Sequence, residues 1–221
     1  AKWLTIDQEH THEKLVECMK ELGRKYMFAG YGQKFLRWII SRKTEPYNSF
    51  GNGSAMRVSP CAFYAKTLDE ALELAKISAE VTHNHPEGIK GAQAIAACIF
   101  LARQGKSKKQ IRNYIEENFE GYNLHRTLDE IRPDYNFWEI CQKSVPESII
   151  SYIEANSYTA AIRNAISLGG DADTMACMAG GIAIATKGME MPEDLAYYIY
   201  NHVLDDYLRQ VLYEFNQLSP L

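Results

Sequence analysis

An all-α fold is predicted by three features of the sequence. Apolar residues recur at three- and four-residue spacing through most of its length, capping residues stand where those stretches begin, and no segment alternates apolar and polar side chains long enough to require a strand. The 221 residues are 46% hydrophobic and 24% charged, with only 14 Gly and 7 Pro, which supplies the apolar mass for a full core and excludes a collagenous, low-complexity or disordered chain. No repeat of fixed period and no linker interrupts the text, so residues 1–221 are expected to form a single domain.

Taken in order, Ala1-Lys2-Trp3-Leu4 reads as the end of an amphipathic helix whose earlier turns are absent, with no initiator Met before it. Thr11 caps a helix with Leu15, Val16, Met19 and Leu22 on one face, closed by Gly23. Residues 31–41 repeat the pattern with Phe35, Trp38 and Ile39, and then Pro46 and the small polar residues 48–54 interrupt it. Residues 58–64 are the one segment that could supply a short strand. Thr67 with Glu70 forms the pattern of a capping box before Leu72, Leu74, Ala75 and Ile77. After His83-Asn84-His85, Pro86 opens an Ala-rich apolar helix reaching Leu101. Ser107 starts a short basic helix to Asn118, and Thr127 and Pro133 mark turns. Pro146 stands near the start of a helix to about Ser157, with residues 159–167 forming the next. Gly169-Gly170-Asp171-Ala172-Asp173-Thr174 then leads into residues 175–186, small on nearly every face, and Pro192 is placed as the first residue of a long Tyr-rich helix.

Lys and Arg number 24 against 28 Asp and Glu, a net charge of −4, so no overall positive field exists to hold a phosphate backbone and nucleic acid is not expected as a partner. The longest uncharged apolar-rich stretch, residues 175–186, contains Gly180 and Gly181 and falls short of the roughly 20 residues that span a bilayer. Cys18, Cys61, Cys98, Cys141 and Cys177 are odd in number, far apart and without CxxC spacing; they read as buried thiols in a reducing compartment. With no signal-peptide pattern at the N-terminus, a cytoplasmic location is expected.

Three polar clusters break the helical text. Gly51-Asn52-Gly53-Ser54-Ala55-Met56 fits a plain turn, and it equally fits a side-chain-poor backbone cradle for an anion such as a diphosphate. Beside it, Arg57 reads as an ion-pair partner and Met56 as core filler. His83-Asn84-His85-Pro86-Glu87 could offer two imidazoles and a carboxylate to a metal, but no matching group stands elsewhere in the chain, and a hydrogen-bonding or capping role before a Pro-initiated helix is the better reading. His10, His12, His125 and His202 are expected to be surface or capping residues. Asp171-Ala172-Asp173-Thr174 is the sharpest signal. Two carboxylates and a hydroxyl in one turn are hard oxygen ligands of the kind Mg²⁺, Mn²⁺ or Ca²⁺ prefers, whereas the plainer alternative makes Asp173 a helix cap. The small residues that follow should draw both aspartates inward, where they would need a cation.

Together and in this order, Phe50-Gly51-Asn52-Gly53-Ser54-Ala55-Met56-Arg57, Thr82-His83-Asn84-His85-Pro86-Glu87-Gly88 and Gly169-Gly170-Asp171-Ala172-Asp173-Thr174 resemble the ADP-ribosylglycohydrolase family, across nearly the whole chain. The resemblance implies a compact orthogonal multi-helix bundle with a central cleft for ADP-ribose and two Mg²⁺ ions, with Mn²⁺ as the substitute. It implies a hydrolase that removes ADP-ribose from an ADP-ribosylated protein or small molecule through an N- or O-glycosidic bond. It makes Asp171, Asp173 and Thr174 metal ligands and lines the pocket with Gly51, Asn52, Gly53, Ser54, Ala55, Met56 and His83. No catalytic residue is assigned. The family's upstream Thr-Asp-Asp-Thr metal motif and a more N-terminal acidic residue are not in these 221 residues, and Ala172 stands where the family more often has Thr or Ser. The expectation is therefore a domain lacking its N-terminal segment, which binds Mg²⁺ weakly and hydrolyses poorly or not at all. The alternatives are a catalytically degenerate protein that binds ADP-ribose or a nucleotide, and a helical interaction module.

Overall fold

In the computed structural model, which describes residues 1–218, small side chains decide what lies at the centre. The helix α7 (Pro86–Arg103) buries Gly88, Gly91, Ala92, Ala94, Ala96 and Ala97 together with Ile95 and Ile99. A helix apolar on all sides must be covered on all sides, and α4 (Gly53–Met56), α5 (Ser59–Tyr64), α6 (Leu68–Glu80), α8 (Lys108–Asn118), α10 (Cys141–Ile153) and α12 (Ala172–Ile184) pack around it. The approach is close at Gly91, where an added Cβ would lie 2.5 Å from Cys141 Sγ. Only glycine lets α7 and α10 meet there.

The helix α12 rests on α4, α7, α10 and α11 (Tyr158–Ser167). In α10 the buried hydroxyls of Ser144, Ser148 and Ser151 donate to the carbonyls of Ile140, Ser144 and Glu147, so a polar face is satisfied within the helix and can still pack tightly. On the N-terminal side, α1 (Lys2–Ile6), α2 (His12–Lys25) and α3 (Gln33–Ile40) bury Trp3, Leu4, Leu15, Val16, Trp38 and Ile39, and α14 (Asp206–Leu218) lies against α1. Among the described residues there is no strand; an isolated antiparallel bridge joins Gly51 to Ile140. No described helix is long and apolar enough to cross a membrane.

Several local expectations are corrected. Gly23 does not end α2; it sits inside the helix, with Ile39 occupying the space its side chain would fill. The 58–64 segment is helical rather than a strand: Val58 precedes α5 (Ser59–Tyr64), and Pro60 near its start supplies a helix-compatible φ. Thr127 is more than a turn: it caps the single-turn helix α9 (Leu128–Ile131) through a complete capping box with Glu130. Only half of the box forms at Thr67, since the Glu70 carboxylate accepts from Lys66 N instead. Pro146 lies inside α10, and that helix begins at Cys141 and ends at Ile153. The Tyr-rich helix is broken: α13 (Glu193–Tyr198) passes into a π-helical turn, Ile199–Val203, before Asp205 caps α14 by accepting from Leu208 N. His10 packs between Trp3 and Tyr64, at ring separations of 5.3 and 5.2 Å. Cys177 is exposed, unlike the other four thiols.

Candidate functional site

The loop carrying the first polar cluster is fixed from below. Asn52 N donates to Glu139 O at 2.8 Å, Cys141 N donates to Phe50 O at 3.0 Å, and the Cys141 thiol donates to Gly51 O at 3.1 Å. These bonds tie the loop to the start of α10 on both sides of Gly51. Ser54 is fully buried and donates to Gly88 O at 2.7 Å, and Ala55 is also fully buried, so both side chains face the core and offer a ligand only their backbone. Asn52 is buried as well. Met56 is exposed.

The second cluster stands behind this loop. His83 is 5% exposed, and its Nε2 lies 3.2 Å from where a Cβ on Gly53 would be and 3.6 Å from one on Gly51. The two glycines thus leave open the space in front of the imidazole. Its Nδ1 is 2.7 Å from Thr82 Oγ1. His85 does not face the same way; it caps α7, its Nδ1 accepting from Glu87 N at 3.1 Å. Arg57, read from sequence as an ion-pair partner, has no carboxylate partner among the described residues. Its half-buried side chain donates from the guanidinium to Gly53 O, Ser78 O and Thr82 Oγ1 at 3.1, 2.6 and 2.8 Å, linking the loop to the end of α6. Burial pulls its pKa down to about 10.

The third cluster meets the first directly. Asn52 Nδ2 donates to Asp171 Oδ2 at 2.7 Å, joining residues 119 apart in sequence. Thr174 Oγ1 faces Met56 Sδ at 3.7 Å, and Cys177 Sγ donates to Met56 O at 3.2 Å, so one face of α12 runs along the end of the loop. Asp171 is the residue at the N-cap of α12, yet its carboxylate makes no capping hydrogen bond. Burial, with Asp173 alongside, raises its pKa against the opposing effects of Asn52 and the Thr174 hydroxyl. The aspartates are less interior than their apolar neighbours suggest: Asp171 is half-buried and Asp173 is exposed. The Gly169-Gly170 turn is held by Tyr135, whose ring lies over Gly170 and whose hydroxyl donates to Lys143 O at 2.8 Å.

Asn52, Asp171 and Thr174 are therefore brought together at one edge of the loop, and His83 faces Gly51 and Gly53. The roles of Arg57, Thr82 and Tyr135 were missed by sequence reasoning. Arg57 had a usable signal, since it directly follows the loop, but its hydrogen-bond partners lie on another helix.

Burial and the Arg57 charge push the His83 pKa down to about 3. His83 is therefore neutral in the folded chain, while the unfolded chain takes up a proton near its ordinary value of about 6.5. The unfolded state binds more protons between these values, so stability is complete above about pH 6.5 and declines by up to about 5 kcal/mol as pH falls toward 3. Urea denaturation across this range should show that slope in the wild type and a flatter one in His83→Gln. Equal slopes would contradict it.

A family model described as ADP-ribosylglycohydrolase matches residues 3–218. The chain is 28% identical over 217 residues to ADP-ribosylhydrolase ARH3 of Homo sapiens, covering 77% of this chain and 60% of that protein. It is 27% identical over 169 residues to ADP-ribosyl-[dinitrogen reductase] glycohydrolase of Rhodospirillum rubrum, covering 66% and 50% of the two chains. It thus spans half to about three fifths of these relatives' length. Among solved structures, an ADP-ribosylglycohydrolase-related protein complex superposes with a TM-score of 0.71 at 17% identity, covering 99% of this chain and 80% of the other, which supports the all-α fold.

Proposed function

The chain belongs to the ADP-ribosylglycohydrolase family, and from that premise we propose that it binds ADP-ribose between the 51–56 loop and the Asp171 turn and hydrolyses the N- or O-glycosidic bond joining ADP-ribose to a modified protein or small molecule. The observation that carries this reading is the Asn52–Asp171 hydrogen bond, which makes the anion-cradle candidate and the acidic turn two sides of one place. The glycines at 51 and 53 let a diphosphate approach the backbone, where a side chain would keep it away.

A diphosphate beside two carboxylates is unfavourable unless a cation lies between them. The donor set fits such an ion. Asp171 leaves its cap unmade, and Asp173 and the Thr174 hydroxyl lie beside it. No group of three or more His, Cys, Asp and Glu side chains able to hold a metal forms among the described residues, so two carboxylates and a hydroxyl leave the rest of an octahedral shell to water and ligand oxygens. Asp171, Asp173 and Thr174 would hold Mg²⁺ or Mn²⁺, which when bound would supply positive charge for orienting ribose hydroxyls and water. Asn52 keeps the Asp171 carboxylate turned toward the loop, and Arg57 holds the loop at Gly53 O. His83 faces the ligand from behind the glycines as a neutral group.

The test is to incubate the chain with a mono-ADP-ribosylated protein in Mg²⁺ and in EDTA and to measure free ADP-ribose. Slow release in Mg²⁺ alone is expected. Absence of both release and binding of ADP-ribose would overturn the reading, and binding without release in Mg²⁺ would make the chain an ADP-ribose binder rather than a hydrolase.

A further inference from the structure

A half-buried arginine with no carboxylate partner among the described residues stands one hydroxyl away from the imidazole that faces the glycine gap. Arg57 Nη2 is 2.8 Å from Thr82 Oγ1, and Thr82 Oγ1 is 2.7 Å from His83 Nδ1. A guanidinium can only donate, so the Thr82 oxygen accepts from Arg57. Thr82 is fully buried, and its hydroxyl faces both the Nδ1 of His83 at 2.7 Å and the hydroxyl of Tyr47. Tyr47, kept protonated by burial, can donate to the second lone pair of the Thr82 oxygen, which leaves the Thr82 hydrogen for Nδ1. The positive charge behind Thr82 also favours a lone pair, not an N–H, on the ring nitrogen turned toward it. Burial beside Arg57 keeps the ring neutral with a single proton. That proton belongs on the other nitrogen.

We infer that Arg57, acting through Thr82, locks His83 in the neutral tautomer protonated at Nε2, so that the chain presents a hydrogen-bond donor through the gap between Gly51 and Gly53 to an acceptor oxygen of its ligand. Nε2 makes no hydrogen bond to any described residue and points at the space that side chains at positions 51 and 53 would fill. A phosphate or ribose oxygen suits such a donor, and a ligand offering only N–H groups there does not. Arg57 and Thr82 are positioning residues: they act on the ligand through His83. This rests on the reading of the loop as an ADP-ribose site, but the tautomer itself is a property of the free protein.

The experiment uses the ligand-free chain with ¹⁵N-labelled histidine. A long-range ¹H–¹⁵N correlation spectrum at neutral pH, with His83 assigned by the signal lost in His83→Gln, should show a pyrrole-type nitrogen at Nε2 and a pyridine-type nitrogen at Nδ1. Thr82→Val should mix or reverse this pattern and weaken ADP-ribose binding by about tenfold, the scale of one lost hydrogen bond, and Thr82→Ser should restore both. This pair leaves Arg57, whose three hydrogen bonds hold the loop, in place. A pyridine-type Nε2 in the wild type, or an unchanged spectrum and affinity in Thr82→Val, would overturn the inference. Because the tautomer is read without ligand, a protonated Nε2 that responds to Thr82→Val supports the lock even where ADP-ribose fails to bind, and that failure would count against the site reading alone.

Discussion

Replacing Asp171 by Asn is expected to lower Mg²⁺-dependent release of ADP-ribose by about 100-fold or more while leaving the chain folded. Asparagine keeps the shape of the side chain, and its carbonyl oxygen can still accept from Asn52 Nδ2, so the bond that joins loop and turn survives. What is lost is the charge. In the absence of metal that charge is a liability, since burial and the neighbouring Asp173 already raise the pKa of Asp171. The variant should therefore unfold in EDTA at the same temperature as the wild type or a higher one. Mg²⁺ should raise the wild-type midpoint, because an ion bound only by the folded state stabilises it by mass action, and it should leave the variant unchanged. Scanning calorimetry with and without Mg²⁺ checks both statements. A variant with wild-type release and a preserved Mg²⁺ shift would remove Asp171 from the metal site.

Gly53→Val should be the most damaging single change to ADP-ribose binding that spares the fold. Gly53 does not have a positive φ, so its backbone accepts a substituted residue. A Cβ there would lie 3.2 and 3.3 Å from Nε2 and Cε1 of His83, a tight contact that a shift of a few tenths of an ångström relieves. The two methyls of valine would then fill the gap in front of the imidazole. Affinity for ADP-ribose is expected to fall by more than about tenfold, from the loss of close backbone approach and of the His83 contact, with Gly53→Ala intermediate. The melting temperature should change by no more than about 5 °C, the effect of one or two kcal/mol in a chain of this size. Isothermal titration of the three proteins decides it, and equal affinities would return the loop to the status of a plain turn.

Most helices were legible because their caps and apolar spacing are local. Thr11, Ser107 and Pro86 mark starts that the structure retains within a residue. The misplaced boundaries share a cause: tertiary packing outweighed a local breaker. Gly23 remains helical because α3 lies against it, and Pro146 is tolerated inside α10 because that helix is buried on most of its faces. The break before α14 carried a signal in Asp205-Asp206, a capping pair after Val203, which the density of tyrosines obscured.

Within the site, residue types and order were readable and three-dimensional pairing was not. Asn52 looked like a turn former, and only the fold turns its amide to Asp171. Arg57 looked like an ion-pair partner, yet its guanidinium bonds the Gly53 and Ser78 carbonyls and the Thr82 hydroxyl instead. Periodicity indicates which face of α12 is apolar; it does not indicate that Asp173 at the helix start stays exposed.

The most direct test is a calorimetric titration of ADP-ribose into the wild-type chain, once in Mg²⁺ and once in EDTA. One saturable site whose affinity rises by about tenfold or more with Mg²⁺ is predicted, because the ion offsets repulsion between the diphosphate and the Asp171 turn. Absence of binding under both conditions, or an affinity indifferent to Mg²⁺, would contradict the claim that the 51–56 loop and the Asp171 turn form one metal-assisted ADP-ribose site.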